Sequence, residues 1–375
     1  MNNLFFELVR VAIARQDELS RVPTTKEWRS LYDMAERQTL IGICFAGVQR
    51  LRKRESPGVS NLPQDLFMKW LGVVARIQQR NGYMDKCCTD VQKLFESRNL
   101  HCLILKGQGI AKLYDAPLGD LRQSGDIDLW AIPYQNENKE DHFKNVMDVV
   151  ESVASIKDFN MQHVAIQLFG NVEIEVHFMP SMMQNPFHNK RLQKWLKRKV
   201  QNRGSVRSSN IPSIEFNIVY ILQHCYNHLL FEGVGLRQIM DYYYVLKNSD
   251  FDTQKKREIY RTLQYLGLYR FASAMMWVML NLFRLEQDRM ICHPNEKEGL
   301  FLLKEIMNGG NFGQYGNDEI MKQHGRGIWA FFKARMKRNT RFLRHYPSEI
   351  FWSPIMMLMH KYWKNKISNN ISKTI

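Results

Sequence analysis

Apolar positions recur every three and four residues through the first hundred residues, as in Leu4, Leu8, Val11 and Ala12, and predict amphipathic helices. A loop is expected at 55–63, where Ser, Pro and Gly gather, and helical spacing resumes over 64–98. The pattern then changes. His101–Leu105 reads as a short apolar strand ending in Lys106-Gly107, and a helical stretch follows to about Tyr114. A loop containing proline and glycine leads to a second strand, Asp126–Ile132, closed by Pro133. Residues 136–156 carry helical spacing. Two alternating runs come next, Gln162–Phe169 and Val172–Phe178, and the Gly170-Asn171 between them is a two-residue hairpin signal. From about 187 to the last residue the spacing is helical again, with loops expected near 202–213, 248–253 and 308–317. There is no internal repeat.

This order predicts an α+β fold: a small mixed sheet flanked by N-terminal and C-terminal helical regions. The expected divisions are a helical region at 1–98, a sheet-bearing core at 99–182 and a helical region with a basic tail at 183–375. At 375 residues, 45% hydrophobic and 24% charged, the chain can bury a sizeable core, which excludes a disordered or collagen-like protein. Aromatic clusters such as Trp28, Tyr242–Tyr244 and Phe331–Phe332 are expected in that core.

Glu7, Arg10 and Arg15 interrupt the N-terminal stretch, so it does not read as a signal peptide. No window approaches the roughly 20 apolar residues of a membrane span. The nearest, Ile350–Met359, is too short and contains Pro354. A cytoplasmic protein is the expectation. The six cysteines form no C-x-x-C pair, which points to reduced, buried thiols and to neither a zinc site nor a disulfide framework.

Charge adds something new. The 53 Lys+Arg against 37 Asp+Glu give +16, which points to an anionic partner or to a solvated basic face that only aids solubility. The excess is concentrated: residues 321–375 carry 12 basic residues and one acid, Glu349, and residues 187–207 carry eight and none. In Ile328–His345, apolar Ile328, Trp329, Phe332, Met336, Phe342 and Leu343 are interleaved with Lys333, Arg335, Lys337, Arg338, Arg341 and Arg344. That pattern suits docking on anionic lipid or RNA. The expectation is that the apolar side packs on the helical region while the basic side is solvated.

The chemistry-bearing residues lie in the strand region. In Gly125-Asp126-Ile127-Asp128-Leu129, strand alternation puts Asp126 and Asp128 on one face, about 7 Å apart. Paired carboxylates repel unless a cation lies between them, and hard oxygen ligands suit Mg²⁺ or Mn²⁺. In Val172–Phe178 the same alternation puts Glu173, Glu175 and His177 on the polar face, which offers a third carboxylate from another strand. Three acids on two adjacent strands can hold two metal ions for in-line phosphoryl displacement. Upstream, Lys106-Gly107-Gln108-Gly109 turns a strand into a helix, a place where backbone N–H groups meet phosphate. Arg122 is a further candidate for triphosphate charge, or pairs with Asp115 or Asp120. His224 and His228 share a helix face and read as structural, for no third ligand stands at a diagnostic spacing. Asp241 is expected to pair with Arg237, one turn away.

Together these residues resemble the nucleotidyltransferase superfamily with the DNA polymerase beta-like catalytic core. Its signature is a glycine turn opening a helix, Asp-x-Asp on a strand and a third acid on a later strand, here Gly107, Asp126/Asp128 and Glu175. More closely, the chain is similar to an uncharacterised bacterial nucleotidyltransferase family. The matching residues are Leu105-Lys106-Gly107, Tyr114, Pro117, Arg122, Asp126-Ile127-Asp128-Leu129 and Ile174-Glu175-Val176-His177. The segments His224–His228 and Leu236-Arg237 to Asp241 resemble that family's His-rich helix and the Leu-Arg…Asp segment after it, so the likeness covers roughly 70–250. The chain departs from the wider superfamily at Gln108, where a serine is common, and in the 19 residues from Gly107 to Asp126.

The resemblance implies metal-dependent transfer of a nucleoside monophosphate from an NTP, such as ATP, with release of pyrophosphate. It implies that Asp126, Asp128 and Glu175 are catalytic and bind Mg²⁺ or Mn²⁺. Lys106, Gly107, Gln108, Gly109, Arg122 and Gly125 would meet the nucleotide, and His177 or Glu173 the acceptor side. A protein, peptide or small-molecule acceptor is expected. RNA modification, to which the basic runs point, and a non-catalytic nucleotide-binding regulator are the alternatives.

Overall fold

A computed structural model describes residues 2–133, 137–201, 207–208, 210–310 and 328–371, with the backbone alone at 2, 207–208, 328–335 and 365–371. The loop expectations at 202–213 and 308–317 fall partly outside these residues. So do the side chains of Ile328, Trp329, Phe331, Phe332, Lys333 and Arg335.

Four helices come first: α1 (Asn2–Ala12), α2 (Thr25–Arg37), α3 (Ile41–Lys53) and the long α4 (Gln64–Glu96). Strand β1 (His101–Ile104) is followed by two single-turn helices, α5 (Gln108–Ala111) and α6 (Leu118–Leu121), and then by β2 (Ile127–Ile132). Helix α7 (Lys139–Val153), capped by the Asn138 side chain, leads to β3 (Ile156–Phe159), β4 (His163–Phe169) and β5 (Val172–His177). After the sheet come α8 (Pro186–Gln201), the short pair β6 (Arg207–Ser208) and β7 (Ile211–Pro212), and α9 (Ile214–Phe231). Then follow α10 (Leu236–Lys247), α11 (Thr253–Tyr265), α12 (Tyr269–Phe283), α13 (Glu296–Gly309), α14 (Ile328–Leu343) and α15 (Pro347–Ile371).

Strands β1 to β5 form one mixed sheet in the order β1-β2-β5-β4-β3, in which only β2 and β5 run parallel. The mixed sheet and its helical flanks are therefore as the pattern predicted. β3 was not expected: the helical spacing extends to 156 and residues 157–161 fall in no expected element, and pairing with β4 makes Ile156–Phe159 a strand. Ile127, Leu129, Ile174 and Val176 turn to one face of the sheet and are buried there with Cys87, Val91 and Phe95 of α4 and Val146 and Val150 of α7. The opposite face meets the helical core, where Trp130 stacks on Phe216.

Helices before and after the sheet share that second core, which runs from Leu4 through Trp70 and Tyr243 to Ile350. All six cysteines are buried and unbridged. Among the described residues, no helix is long and apolar enough to cross a membrane. In α14 and just beyond it, Phe342 is buried and Lys337, Arg341 and Arg344 are exposed, as expected, but three residues depart from that pattern. Arg338 is buried and donates to the carbonyls of Leu229 (2.7 Å) and Glu232 (3.2 Å), while Met336 and Leu343 are exposed. The basic residue satisfies carbonyls near the C-terminal end of α9, so packing does not follow polarity alone.

Candidate active site

The parallel pairing of β2 with β5 sets Asp128 beside Glu175. Neighbours in register share a sheet face, so the two carboxylates point the same way, and Asp126 joins them from just before β2. One ligand oxygen from each of the three acids lies within 4.8 Å of the others. Asp128 is buried, and Asp126 and Glu175 are partly open.

Two cations offset this charge. Lys106 Nζ and His177 Nε2 each lie 2.9 Å from Asp128 Oδ1, and His177 Nε2 is also 3.3 Å from Glu175 Oε2. Burial works against the charged form of His177, but hydrogen bonds to Asp128 and Glu175 win and hold its pKa up at about 9. Burial would raise Glu175, yet the His177 hydrogen bond and the Lys106 charge keep it down at about 2. A hard divalent cation fits this donor set, since it would supply the positive charge now given by the two N–H groups.

The acids open into a cavity of about 720 Å³. Lys106, Gly107, Arg122 and Gly125 border it near the carboxylates, and Tyr220, His224 and His228 of α9 border it as well. So do Met356, Met357, His360 and Lys361 of α15. The sequence-predicted residues are thus divided. Lys106, Gly107, Arg122, Gly125, Asp126, Asp128, Glu175 and His177 meet at one cavity.

Gln108, Gly109 and Glu173 do not. The Gln108 side chain is buried, donating to Asp85 Oδ1 (2.8 Å) and accepting from the Ser124 hydroxyl. Gly109 gives its amide to the Lys106 carbonyl (3.0 Å), and a Cβ there would stand 2.8 Å from the Ile104 oxygen. Its value is close approach, which only glycine permits. The expected phosphate-binding helix is a single turn. Gly107 makes the turn itself, at a φ of +57°. Glu173 is exposed near Lys157 (3.5 Å), further along β5.

Arg122 is spoken for. Its Nε and Nη2 donate to Asp241 Oδ1 (2.6 Å) and Oδ2 (2.7 Å), and the Tyr114 hydroxyl adds a third bond to Oδ1 (2.7 Å). This corrects two expectations. Asp115 pairs with Lys247 instead, and Arg237 donates to the Gln123 carbonyl (2.7 Å) rather than pairing with Asp241. Arg122 and Arg237 both tie the loop before β2 to α10, and the motif residues Tyr114, Arg122 and Asp241 form one buried joint. His224 and His228 are neighbours, Nε2 to Nε2 at 2.9 Å, and His228 Nδ1 lies 2.7 Å from Glu232. Among the described residues they belong to no metal-type cluster of three.

Sequence reading missed His163. It faces His177 across β4 and β5, its ring centre 4.8 Å away, and its Nδ1 lies 3.5 Å from Glu175. Burial, then the His177 charge, depresses its pKa to about 4, so it stays neutral. The Gly170-Asn171 turn was the available signal, but an ideal hairpin would set Val164 opposite His177. The irregularity between Gln167 and Phe169 shifts the register by one and brings His163 to the site.

Compared with curated proteins and with solved structures, the chain matches none. Residues 24–284, which span the sheet, the carboxylates and the Arg122–Asp241 joint, match a family described as uncharacterised nucleotidyltransferase. The chain belongs to that uncharacterised nucleotidyltransferase family.

Proposed function

We infer that the chain transfers a nucleoside monophosphate from an NTP, ATP among the candidates, to a hydroxyl-bearing acceptor, with release of pyrophosphate. The observation that carries this is the Asp126, Asp128 and Glu175 triad at the mouth of the 720 Å³ cavity beside Lys106. When bound, Mg²⁺ or Mn²⁺ supplies charge stabilisation for the transferring phosphoryl group. The three carboxylates hold it. Lys106 neutralises phosphate charge, and Gly107 and Gly125 leave room for the triphosphate at the rim. His177 holds Asp128 and Glu175 in place. Glu175 accepts a hydrogen bond from the acceptor hydroxyl and aims it, and the acceptor oxygen bonds to the α-phosphorus as the bond to the β-phosphate oxygen breaks and the hydroxyl proton passes to solvent. Arg122 acts mainly through Asp241, by fixing the loop that delivers Asp126. Most of the rate gain in such a site comes from positioning and fixed charge.

A protein, peptide or small-molecule acceptor is preferred. The basic runs favour RNA, but among the described residues no exposed aromatic platform lines the cavity for stacking bases. The test is incubation with each α-labelled NTP and Mg²⁺ or Mn²⁺, with and without cell lysate, against the Asp126→Ala/Asp128→Ala double variant. Label in protein, RNA or a small molecule names the acceptor class. No label in any fraction, together with no thermal shift from Mg²⁺–NTP that depends on Asp126, would leave the non-catalytic reading.

A further inference from the structure

Helix α15 lies outside the matched region and has two unlike faces. Its inner face is anchored. Glu349 accepts from the amides of Gln184 (2.7 Å) and Asn185 (3.0 Å), Trp363 packs edge-on against Phe143 and Phe159, and Lys364 reaches Asp158 (2.5 Å). Its outer face carries Phe351, Ile355, Leu358, Met359 and Tyr362, spaced by four, three, one and three residues, which is one stripe of a helix. Phe351, Leu358 and Tyr362 are 68%, 71% and 73% exposed. Single exposed apolar residues are ordinary, but a row along three turns is not.

The stripe continues onto a second helix. Phe187, at the start of α8, is exposed and packs edge-on to Trp352 of α15 (6.3 Å). From Phe187 the outward face of α8 runs through Lys190, Lys194 and Lys197, all exposed, while Leu192, Trp195 and Leu196 are buried on the other side. The apolar stripe therefore abuts the acid-free basic run of 187–207 and belongs to the segment that holds most of the chain's net charge.

We propose that α15 and α8 together dock the protein on an anionic lipid bilayer, with the α15 stripe entering the headgroup region and the α8 lysines meeting lipid phosphates. Apolar and aromatic residues beside lysines are what such a surface requires. A second copy of the chain is disfavoured as the occupant, because two +16 chains would meet through their basic sides. RNA would use the lysines but gain nothing from Ile355, Leu358 and Met359, which offer no stacking face. The inner side of α15 borders the carboxylate cavity, so docking would bring that cavity to the bilayer surface. The proposal rests on this surface alone and stands whether or not nucleotidyl transfer does.

The experiment is flotation of the full chain with phosphatidylcholine vesicles, with and without phosphatidylglycerol. The wild-type chain is expected to float only with the anionic vesicles and to be released by high salt. Lys190→Gln/Lys194→Gln should weaken partitioning by about fivefold per lysine. Leu358→Ser/Tyr362→Ser should weaken it about tenfold or more, with an unchanged melting temperature because both residues face solvent. Three results would overturn the proposal: no flotation with anionic vesicles, flotation that neither double variant weakens, or a dimer in light scattering that Leu358→Ser/Tyr362→Ser dissociates. Polyadenylate binding weakened by the Leu358/Tyr362 variant would also overturn it and assign the surface to RNA.

Discussion

Arg122 and Asp241 form a two-pronged ion pair across 119 residues of sequence, and their side chains are 4% and 5% exposed. The pair locks the loop before β2 onto α10, and that loop delivers Asp126. Burial works against the charged form of Arg122, but the Asp241 carboxylate outweighs it and raises the guanidinium's pKa above its ordinary value.

Removing one partner strands a buried charge. Arg122→Ala and Asp241→Ala are each expected to destabilise the fold by about 3–5 kcal/mol, read as a drop in the denaturant midpoint. Arg122→Lys should recover little, because an ammonium cannot make the paired contact. If Arg122 served the triphosphate alone, Arg122→Ala would lower nucleotide affinity and leave the midpoint where it is.

On the proposed mechanism the carboxylate triad carries the chemistry, so Asp126→Asn, Asp128→Asn and Glu175→Gln should each cut label transfer by orders of magnitude, ~10²-fold or more. Asp128→Asn should also lower the melting temperature, since Lys106 and His177 both rest on Asp128. Unchanged turnover in Asp128→Asn would sink the assignment.

The two turn glycines should fail for different reasons. Gly107→Ala forces an L residue to φ +57° with ψ −116°, a sparsely populated region outside the left-handed helical basin, at about 1–3 kcal/mol. Gly109→Ala puts a methyl 2.8 Å from the Ile104 carbonyl and should cost about 1–3 kcal/mol. Chemical denaturation measures both. A neutral Gly109→Ala would show that α5 can move off β1 freely.

Glu298 predicts a pH dependence. Its buried carboxylate meets Arg270 Nη2 (2.5 Å) and His345 Nδ1 (2.8 Å), joining α12, α13 and the end of α14. Burial pushes its pKa up, but the two partners win and hold it below the usual 4.5. A lowered folded-state pKa stabilises above the unfolded value, and that stability is lost as pH falls through and below 4.5. Wild type should therefore lose more stability than Glu298→Gln between neutral pH and pH 4, measured by urea titration at each pH. Equal losses would show that the pair does not bind these helices together.

Local pattern carried a good deal. Alternation exposed β1, β2 and the β4–β5 hairpin, and it put Asp126 with Asp128 and Glu175 with His177. It failed at β3, where Lys157 and Asp158 hide a strand that exists because β4 pairs with it. It failed again for the partner of Asp241, because the nearest arginine in sequence points elsewhere.

The sequence by itself determined the residue types and their faces, since side-chain direction follows from helix and strand periods within a few residues. It therefore named the acids, the Lys106 turn and the two basic runs. Only the tertiary structure decided which faces meet. The parallel pairing of β2 and β5 joins Asp128 to Glu175 across 47 residues, and a one-residue irregularity brings in His163. The buried Arg122–Asp241 joint links the carboxylate loop to the helical core. Those outcomes depend on long-range pairing and on the burial of charge, neither of which leaves a local periodic signal.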